Sequence, residues 1–305
     1  MKRETLLPLL GNFTRREEYP YTLLQRTCHS SFVAQEISYA DCDGTSIEAT
    51  ILIPTNLDLE KKHPTIIACH QHANQYEIGM GEPAGLCGNT DNTFALPLLE
   101  AGFVVICPEH IGFGRRRVYR DGVAMAGRDG ERWLFIQELL IGRTLLGKAL
   151  EDLYCLFEVM IQLPYVDTER IGIAGHSLGG MMSFWYALYD KRIKAVASSC
   201  GIGPLALLQE RRINHNLSMY LPGFLNHGDI EELFDLISPT PLYLTFGAHD
   251  PIFPSEGSLL LCERAKKAYT QVDHLDALIT EVTDDGHGYT DQKQKTSVAF
   301  FLRWL

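Results

Sequence analysis

The apolar positions of the chain form two kinds of pattern, which change between the second and third predicted strands. Residues 32–39 and 47–54 are strand-like, and the turn sequence Asp-Cys-Asp-Gly at 41–44 predicts a hairpin between them. Further along, the apolar residues come in continuous runs, at 65–69 and 103–107. Continuous runs indicate strands that are buried on both faces. We therefore expect an antiparallel pair that opens a sheet with a parallel centre.

The rest of the chain alternates predicted helices and strands. Helices are predicted over 94–101, 146–163 and 297–305, and strands over 170–174, 193–199, 241–246 and 278–282. This alternation predicts an α/β fold with a doubly wound, mostly parallel sheet and right-handed crossovers. Two connections, 111–145 and 201–240, are longer than usual and are predicted to be lid-like insertions. Residues 1–30 are expected to form a helical extension, and 31–305 a single α/β domain.

The sequence Gly-His-Ser-Leu-Gly at 175–179 joins one of these strands to a helix. Glycines two residues before and after Ser177 remove the Cβ atoms that would meet neighbouring backbone in a tight turn. A serine in such a turn is presented at the top of the sheet, beside the amide-rich start of a helix. The context therefore predicts a nucleophile elbow, and with it a serine hydrolase.

A nucleophilic serine needs an imidazole to take its proton and a carboxylate to orient that imidazole. Asp250 and His287 each follow a predicted strand, in the order serine, acid, histidine that accompanies such an elbow. We predict Ser177, Asp250 and His287 as the catalytic residues. Asp284 and Asp285 are alternative acids in the loop that holds the histidine.

The oxyanion that forms during attack on an ester needs two hydrogen-bond donors. The backbone amide of Leu178, directly after the serine, is the first predicted donor. The second is expected from the loop after the strand at 65–69, where the amide of His72 is favoured and that of Gln71 is the alternative. His70 and His72 also raise the question of a metal site, but no third ligand stands at a useful spacing. We therefore expect neither a metal nor a cofactor.

The two insertions supply the candidate substrate contacts. Arg115 belongs to a basic cluster at 115–120, which a solvated loop or the recognition of an anionic substrate would explain. Met219, Tyr220 and Phe224 would form an apolar flap over the serine, with ordinary core packing as the alternative.

Composition narrows the classes of partner. The chain has 38 acidic and 27 basic residues and a net charge of -11, which disfavours nucleic acid and anionic membranes. Its eight cysteines include no C-x-x-C pair and are expected to be reduced core residues. Glu4 and Pro8 interrupt the apolar stretch that a signal peptide needs, and no apolar run approaches roughly 18 residues. We expect a cytoplasmic protein that acts on a small, diffusible substrate.

The motifs together resemble the α/β-hydrolase superfamily, and within it the dienelactone-hydrolase-like and acetyl-xylan-esterase-like branch. The resemblance spans about residues 35–305 and is carried by the hairpin at 41–44, the stretches at 81–86 and 108–114, and Gly-His-Ser-Leu-Gly-Gly at 175–180. It implies an ester-like substrate and the triad already named. This chain has Ser177 where dienelactone hydrolases have cysteine, and Gln71 where many hydrolases of this fold have glycine.

The sequence therefore predicts a serine esterase that cleaves a carboxylic ester of a small molecule through an acyl-enzyme. A thioesterase, an acyltransferase or a peptidase would use the same triad. A non-catalytic protein that binds a small molecule is the alternative from another class. A homo-oligomer is also compatible with the sequence, because residues 1–30 or either insertion would supply an interface.

Overall fold

The computed structural model describes residues 1–88 and 92–305, which form a mixed sheet covered by helices. The strands are β1 (Tyr21–Cys28), β2 (Phe32–Ala40), β3 (Ser46–Pro54), β4 (His63–Cys69), β5 (Val104–Pro108), β6 (Tyr119–Arg120), β7 (Val123–Ala124), β8 (Val166–His176), β9 (Ala195–Ser199), β10 (Leu242–Gly247) and β11 (Leu278–Thr283). Nine of them form the sheet in the order β1-β2-β3-β5-β4-β8-β9-β10-β11, and β6 pairs with β7 alone.

The helices are α1 (Arg3–Leu10), α2 (Ala95–Glu100), α3 (Gly127–Leu140), α4 (Leu145–Met160), α5 (Leu178–Tyr189), α6 (Leu205–Glu210), α7 (Phe234–Ile237), α8 (Ser255–Gln271) and α9 (Asp291–Trp304). Within the described residues, none of these helices combines the length and the apolar character that crossing a membrane requires.

Strand direction follows the predicted division of the sheet. The contacts β1–β2, β2–β3 and β3–β5 are antiparallel, and the remaining contacts, from β5–β4 to β10–β11, are parallel. Every residue of β5 is buried, as is β4 from Thr65 to Cys69, because helices cover both faces of the centre. The predicted α/β class and doubly wound sheet are confirmed.

The segment 1–30 differs from the predicted helical extension. Only Arg3–Leu10 is helical, whereas Tyr21–Cys28 is the edge strand β1, which pairs with β2. All eight residues of β1 are exposed. A strand that is open to solvent on both faces has no buried side to impose an apolar alternation, so its sequence does not show the usual pattern.

The last helix starts earlier than the sequence predicts. It runs from Asp291 to Trp304 rather than over 297–305, and its polar first turns include the buried side chains of Lys293 and Gln294. Lys293 pairs with Asp285 at 2.8 Å and donates to the Gly288 carbonyl at 2.9 Å. These contacts connect α9 to the loop after β11.

The cysteines divide into two groups, and all eight are free. Five are buried, as expected, but Cys28 and Cys87 are exposed and Cys42 is half-buried. The expectation of a core position is wrong for these three because they lie on the edge strand, a loop and the hairpin turn rather than in a covered strand.

A buried charge network fixes the N-terminal hairpin to the rest of the fold. Lys148 on α4 pairs with Asp152 one turn later and with Asp41 at the hairpin turn, the latter at 2.8 Å. Arg116, from the predicted basic cluster, has a largely buried side chain that pairs with Asp152 at 2.7 Å. This arginine is therefore part of the charge network beneath the hairpin and does not belong to a solvated loop.

Candidate active site

The turn between β8 and α5 holds Ser177 in a strained conformation, with φ 56° and ψ -117°. The surrounding glycines allow it. A Cβ on Gly175 would lie 2.3 Å from the carbonyl carbon of Gly179, and a Cβ on Gly179 would lie 2.0 Å from the carbonyl oxygen of Cys69. Any side chain at either position would force the elbow away from the sheet.

Ser177, Asp250 and His287 come together at the carboxyl edge of the parallel strands. The Nε2 atom of His287 lies 2.9 Å from Ser177 Oγ, and its Nδ1 lies 2.7 Å from Asp250 Oδ2. The other carboxylate oxygen of Asp250 accepts hydrogen bonds from the backbone amides of Ile252 and Phe253. The imidazole is therefore held from one side and faces the serine on the other.

The alternative acids make other contacts. Asp285 accepts from Lys293 and from the Thr283 hydroxyl, and Asp284 pairs with exposed His249 at 2.7 Å. Of the three carboxylates, it is Asp250 that the structure places on His287.

The electrostatics of the pair favour a charged imidazole beside a charged carboxylate. Burial lowers the pKa of His287, but the hydrogen bond and charge of Asp250, with a contribution from the Cys200 side chain, outweigh burial and raise the pKa to about 9. Burial raises the pKa of Asp250, and the hydrogen bond and charge of His287 together with two backbone amides bring it below its usual value.

Cys200 is a neighbour that the sequence analysis missed. Its thiol, a carboxylate oxygen of Asp250 and a ring nitrogen of His287 all lie within 4.8 Å of one another. Among the described residues, these three side chains form the group whose atoms are close enough to share a metal ion. His70 and His72 are not part of it. Cys200 follows β9, between the strands that deliver Ser177 and Asp250, so the topology already places it at this edge.

The loop after β4, residues 70–75, borders the elbow. Gly179 packs on the carbonyl groups of Cys69 and His70. The side chain of Gln71 donates to Glu82 at 2.8 Å, and the ring of His72 lies 3.2 Å from Glu131. These side-chain contacts fix the two residues whose backbone amides were predicted as oxyanion donors.

A cavity of about 690 Å³ opens onto Ser177 and His287. Both insertions contribute to its walls, the first through Arg128, Glu131 and Arg132 on α3 and the second through residues 214–217 and 220. Many of the other lining groups are neutral and polar, among them four asparagines: Asn74, Asn92, Asn214 and Asn216.

The structure brings one of the four predicted substrate contacts to this cavity. Tyr220 lines it, whereas Met219 and Phe224 are buried in the core, with Phe224 packed against Trp185. Arg115 pairs with Glu36 and Glu48 on the antiparallel strands and is not among the described lining residues. The prediction for these three residues is therefore corrected, because core packing and ion pairs hold them elsewhere.

Glu131 joins three parts of the site and was not predicted. Its carboxylate accepts from the Tyr76 hydroxyl at 2.8 Å and from the backbone amide of Leu217, and it lies against the ring of His72. Burial raises the pKa of Glu131, but the His72 contact, the amide and the hydroxyl lower it below its usual value. An ionised carboxylate thus connects α3, the loop after β4 and the second insertion.

Residues 130–305, more than half of the chain, match the model of the prolyl oligopeptidase family. The chain belongs to this family. Ser177, Asp250 and His287 all fall within the matched segment. The family consists of serine hydrolases of the α/β-hydrolase type, so the superfamily named from the sequence is confirmed.

The curated relatives differ in how much of their length this chain covers. The "Putative hydrolase YtaP" of Bacillus subtilis (strain 168) is 28% identical over 248 residues, which is 79% of each chain. Dipeptidyl-peptidase 5 of Porphyromonas gingivalis is 30% identical over 167 residues, which are 52% of this chain and 20% of the peptidase.

Solved structures with the same fold include two esterases. Acetyl xylan esterase 1 from Thermoanaerobacterium sp. JW/SL YS485 has a TM-score of 0.64 at 16% identity, with 99% of this chain and 93% of that chain covered. Glucuronoyl esterase from Solibacter usitatus has a TM-score of 0.68 at 13% identity, with 98% and 91% covered. At these identities the likeness establishes the α/β-hydrolase fold.

Proposed function

We propose that the protein hydrolyses a carboxylic ester of a small molecule through an acyl-enzyme. The observation that carries the proposal is the hydrogen-bonded chain from Ser177 through His287 to Asp250 at the mouth of a cavity. The solved structures named as esterases align with almost the whole of this chain. The segment shared with dipeptidyl-peptidase 5, in contrast, is only a fifth of that peptidase's length.

In the first half-reaction Ser177 Oγ forms a bond to the ester carbonyl carbon while His287 Nε2 takes the hydroxyl proton. The backbone amides of Leu178 and His72, or Gln71 in its place, hold the oxyanion. Collapse breaks the carbon–oxygen bond to the alcohol, which leaves with the proton from His287. Asp250 holds the ring and stabilises its charged form throughout.

In the second half-reaction water takes the place of the serine hydroxyl. His287 removes a proton from the water as its oxygen attacks the acyl carbon, and then returns a proton to Ser177 Oγ as the acid departs. The enzyme is restored with one ester and one water converted to an acid and an alcohol.

A peptidase is the second candidate, favoured by the family to which the chain belongs and by the relative named dipeptidyl-peptidase 5. A thioesterase and an acyltransferase share the same residues. The hydrogen-bonded chain argues against the non-catalytic alternative, because a protein that only binds has no need of it. The cytoplasmic location and the lack of a cofactor remain predictions of the sequence.

The test is labelling with a fluorophosphonate, read by intact mass, on wild type, Ser177→Ala and the exposed-serine control Ser31→Ala. One adduct on wild type and the control, absent from Ser177→Ala, is expected. A panel of p-nitrophenyl esters, thioesters and aminoacyl anilides then ranks the substrates, with esters expected to be fastest. Faster cleavage of anilides would replace the esterase with a peptidase, and folded protein without an adduct would favour the binding protein.

A further inference from the structure

Two arginines on α3 face the proposed active-site cavity. Arg128 and Arg132 are four residues apart, so their side chains leave the same side of the helix; both are exposed, whereas Glu131, on an adjoining part of the helix surface, is buried. All three residues line the cavity that contains Ser177 and His287. One wall of the cavity therefore carries two guanidinium groups.

Neither arginine is neutralised within the described residues. Eight other arginines have carboxylate partners among the described residues, and Arg143, close to the end of α3, has two, Asp43 and Glu138. Arg128 and Arg132 form no ion pair or side-chain hydrogen bond with the part of the chain that the structure describes. Arg26 and Arg120 likewise have no carboxylate partner among the described residues, so what distinguishes Arg128 and Arg132 is that both line the cavity that contains Ser177.

The carboxylate that lies nearest on the helix is already engaged. Glu131 is the one acidic side chain among the described lining residues, and it is held by His72, Tyr76 and the Leu217 amide. Of the histidines that line the cavity, His215 is half-buried, and partial burial lowers its pKa, so it is neutral near pH 7. The wall formed by α3 therefore presents positive charge to a ligand.

Close contacts hold the backbone of α3, from which the two arginines extend. Gly127 at the start of α3 packs so closely on the Tyr76 ring that a Cβ would lie 1.9 Å from it. Glu131 anchors the next turn through its three contacts. A rigid helix face with two guanidinium forks suits a planar carboxylate, which each fork binds through two parallel hydrogen bonds.

We infer that the substrate is an ester that carries a second, ionised carboxylate, and that Arg128 and Arg132 bind that carboxylate while Ser177 attacks the ester. The inference rests on the proposed ester hydrolysis and names its substrate class. It also moves anionic recognition from Arg115, which is paired with Glu36 and Glu48, to α3.

The experiment compares esters that differ only in charge. One series contains the mono-p-nitrophenyl esters of succinic, glutaric and adipic acid, each beside the analogue in which the free acid is a primary amide. A second series places the charge on the alcohol part, with 4-acetoxybenzoate beside 4-acetoxybenzamide. Values of kcat/KM are measured for wild type, the double variant Arg128→Gln/Arg132→Gln, and Arg120→Gln, an exposed arginine of the same insertion that lies outside the described lining.

Wild type is expected to prefer the carboxylate over the amide by about tenfold or more in one of the series, and added salt is expected to reduce the ratio. The ratio should fall towards one in the double variant and stay unchanged in Arg120→Gln. The series with the preference identifies which part of the ester carries the charge. Ester turnover with the same ratio in wild type and the double variant would overturn the inference and leave the proposed function intact.

A binding measurement separates the two proposals if no ester is turned over. Calorimetric titration of Ser177→Ala with the adipic monoester is expected to show binding that weakens about tenfold or more when Arg128 and Arg132 are also changed to glutamine. Such binding without turnover in wild type would support the anionic site and reject the esterase. Absence of any effect of the arginines would reject the anionic site.

Discussion

The pH dependence of the proposed nucleophile follows from the contacts of His287. Only the neutral imidazole can accept the Ser177 proton, and the pKa of His287 is raised from 6.5 to about 9. At pH 7 a group with that pKa is neutral in about 1% of molecules, so the rate of serine modification should be about a hundredth of its high-pH plateau. The rate is expected to rise nearly tenfold per pH unit up to about pH 8.

The free energy behind this shift is about 3 kcal/mol, since one pKa unit corresponds to about 1.4 kcal/mol. The same shift makes the stability of the fold depend on pH. Because the folded-state pKa lies above the unfolded value, charged His287 stabilises the fold fully below pH 6.5, and this contribution is lost as the pH rises through about 9.

The assay is the second-order rate of fluorophosphonate labelling between pH 5.5 and 10, which requires no knowledge of the natural substrate. Asp250→Asn is the comparison, because it removes the negative charge that raises the pKa of His287 against the effect of burial. In this variant the midpoint of the pH profile should fall below pH 6.5. The labelling rate at the high-pH plateau should drop by about 10³-fold or more, since the ring of His287 is no longer held in the productive form. A wild-type midpoint at or below 6.5, or the same midpoint in both proteins, would refute the reasoning.

Three further changes test the supports of the site. Lys148→Met leaves two buried carboxylates without their ammonium partner and should lower the free energy of unfolding in urea by about 3–5 kcal/mol. Gly179→Ala places a Cβ 2.0 Å from the Cys69 carbonyl oxygen and should reduce labelling of Ser177 more than about 100-fold, or prevent folding, as seen by circular dichroism. Glu131→Gln removes the charge that links α3 to His72 and Tyr76, and labelling of Ser177 should slow about tenfold.

Each change has a matched control. Lys61→Met breaks an exposed pair and should alter the unfolding free energy by less than about 1 kcal/mol. Gly130→Ala meets only ordinary contacts, at 3.7 Å, inside α3 and should be tolerated. Glu77→Gln is an exposed change that should leave labelling unaffected. Equal effects of a test variant and its control would contradict the role assigned to that contact.

The parts of the site that follow strand ends could be predicted from the sequence. Ser177 directly follows β8, Asp250 and His287 lie within four residues of the ends of β10 and β11, and parallel strands place their carboxyl ends at one edge. A local pattern and one topological rule are therefore sufficient. The same rule would have drawn attention to Cys200, which follows β9.

The lining of the cavity could not be predicted in this way. Which residues of an insertion face the serine depends on contacts with distant segments, such as Glu36 and Glu48 with Arg115, or Tyr76 with Gly127. No periodicity within the insertion reports those contacts. The edge strand β1 was missed for a related reason, since it gains its hydrogen bonds from β2 rather than from a buried face.

The three contacts of Glu131 link the α3 wall of the cavity to the loop after β4. A movement of α3 that widened the entrance would break the carboxylate's contacts with His72 and the Leu217 amide. The loop after β4, which supplies the second proposed oxyanion donor, would lose its contact with Glu131 in the same movement. In the proposed reaction, water that reached the acyl group after such a movement would meet an incomplete oxyanion hole, so hydrolysis of the acyl-enzyme would require α3 to return.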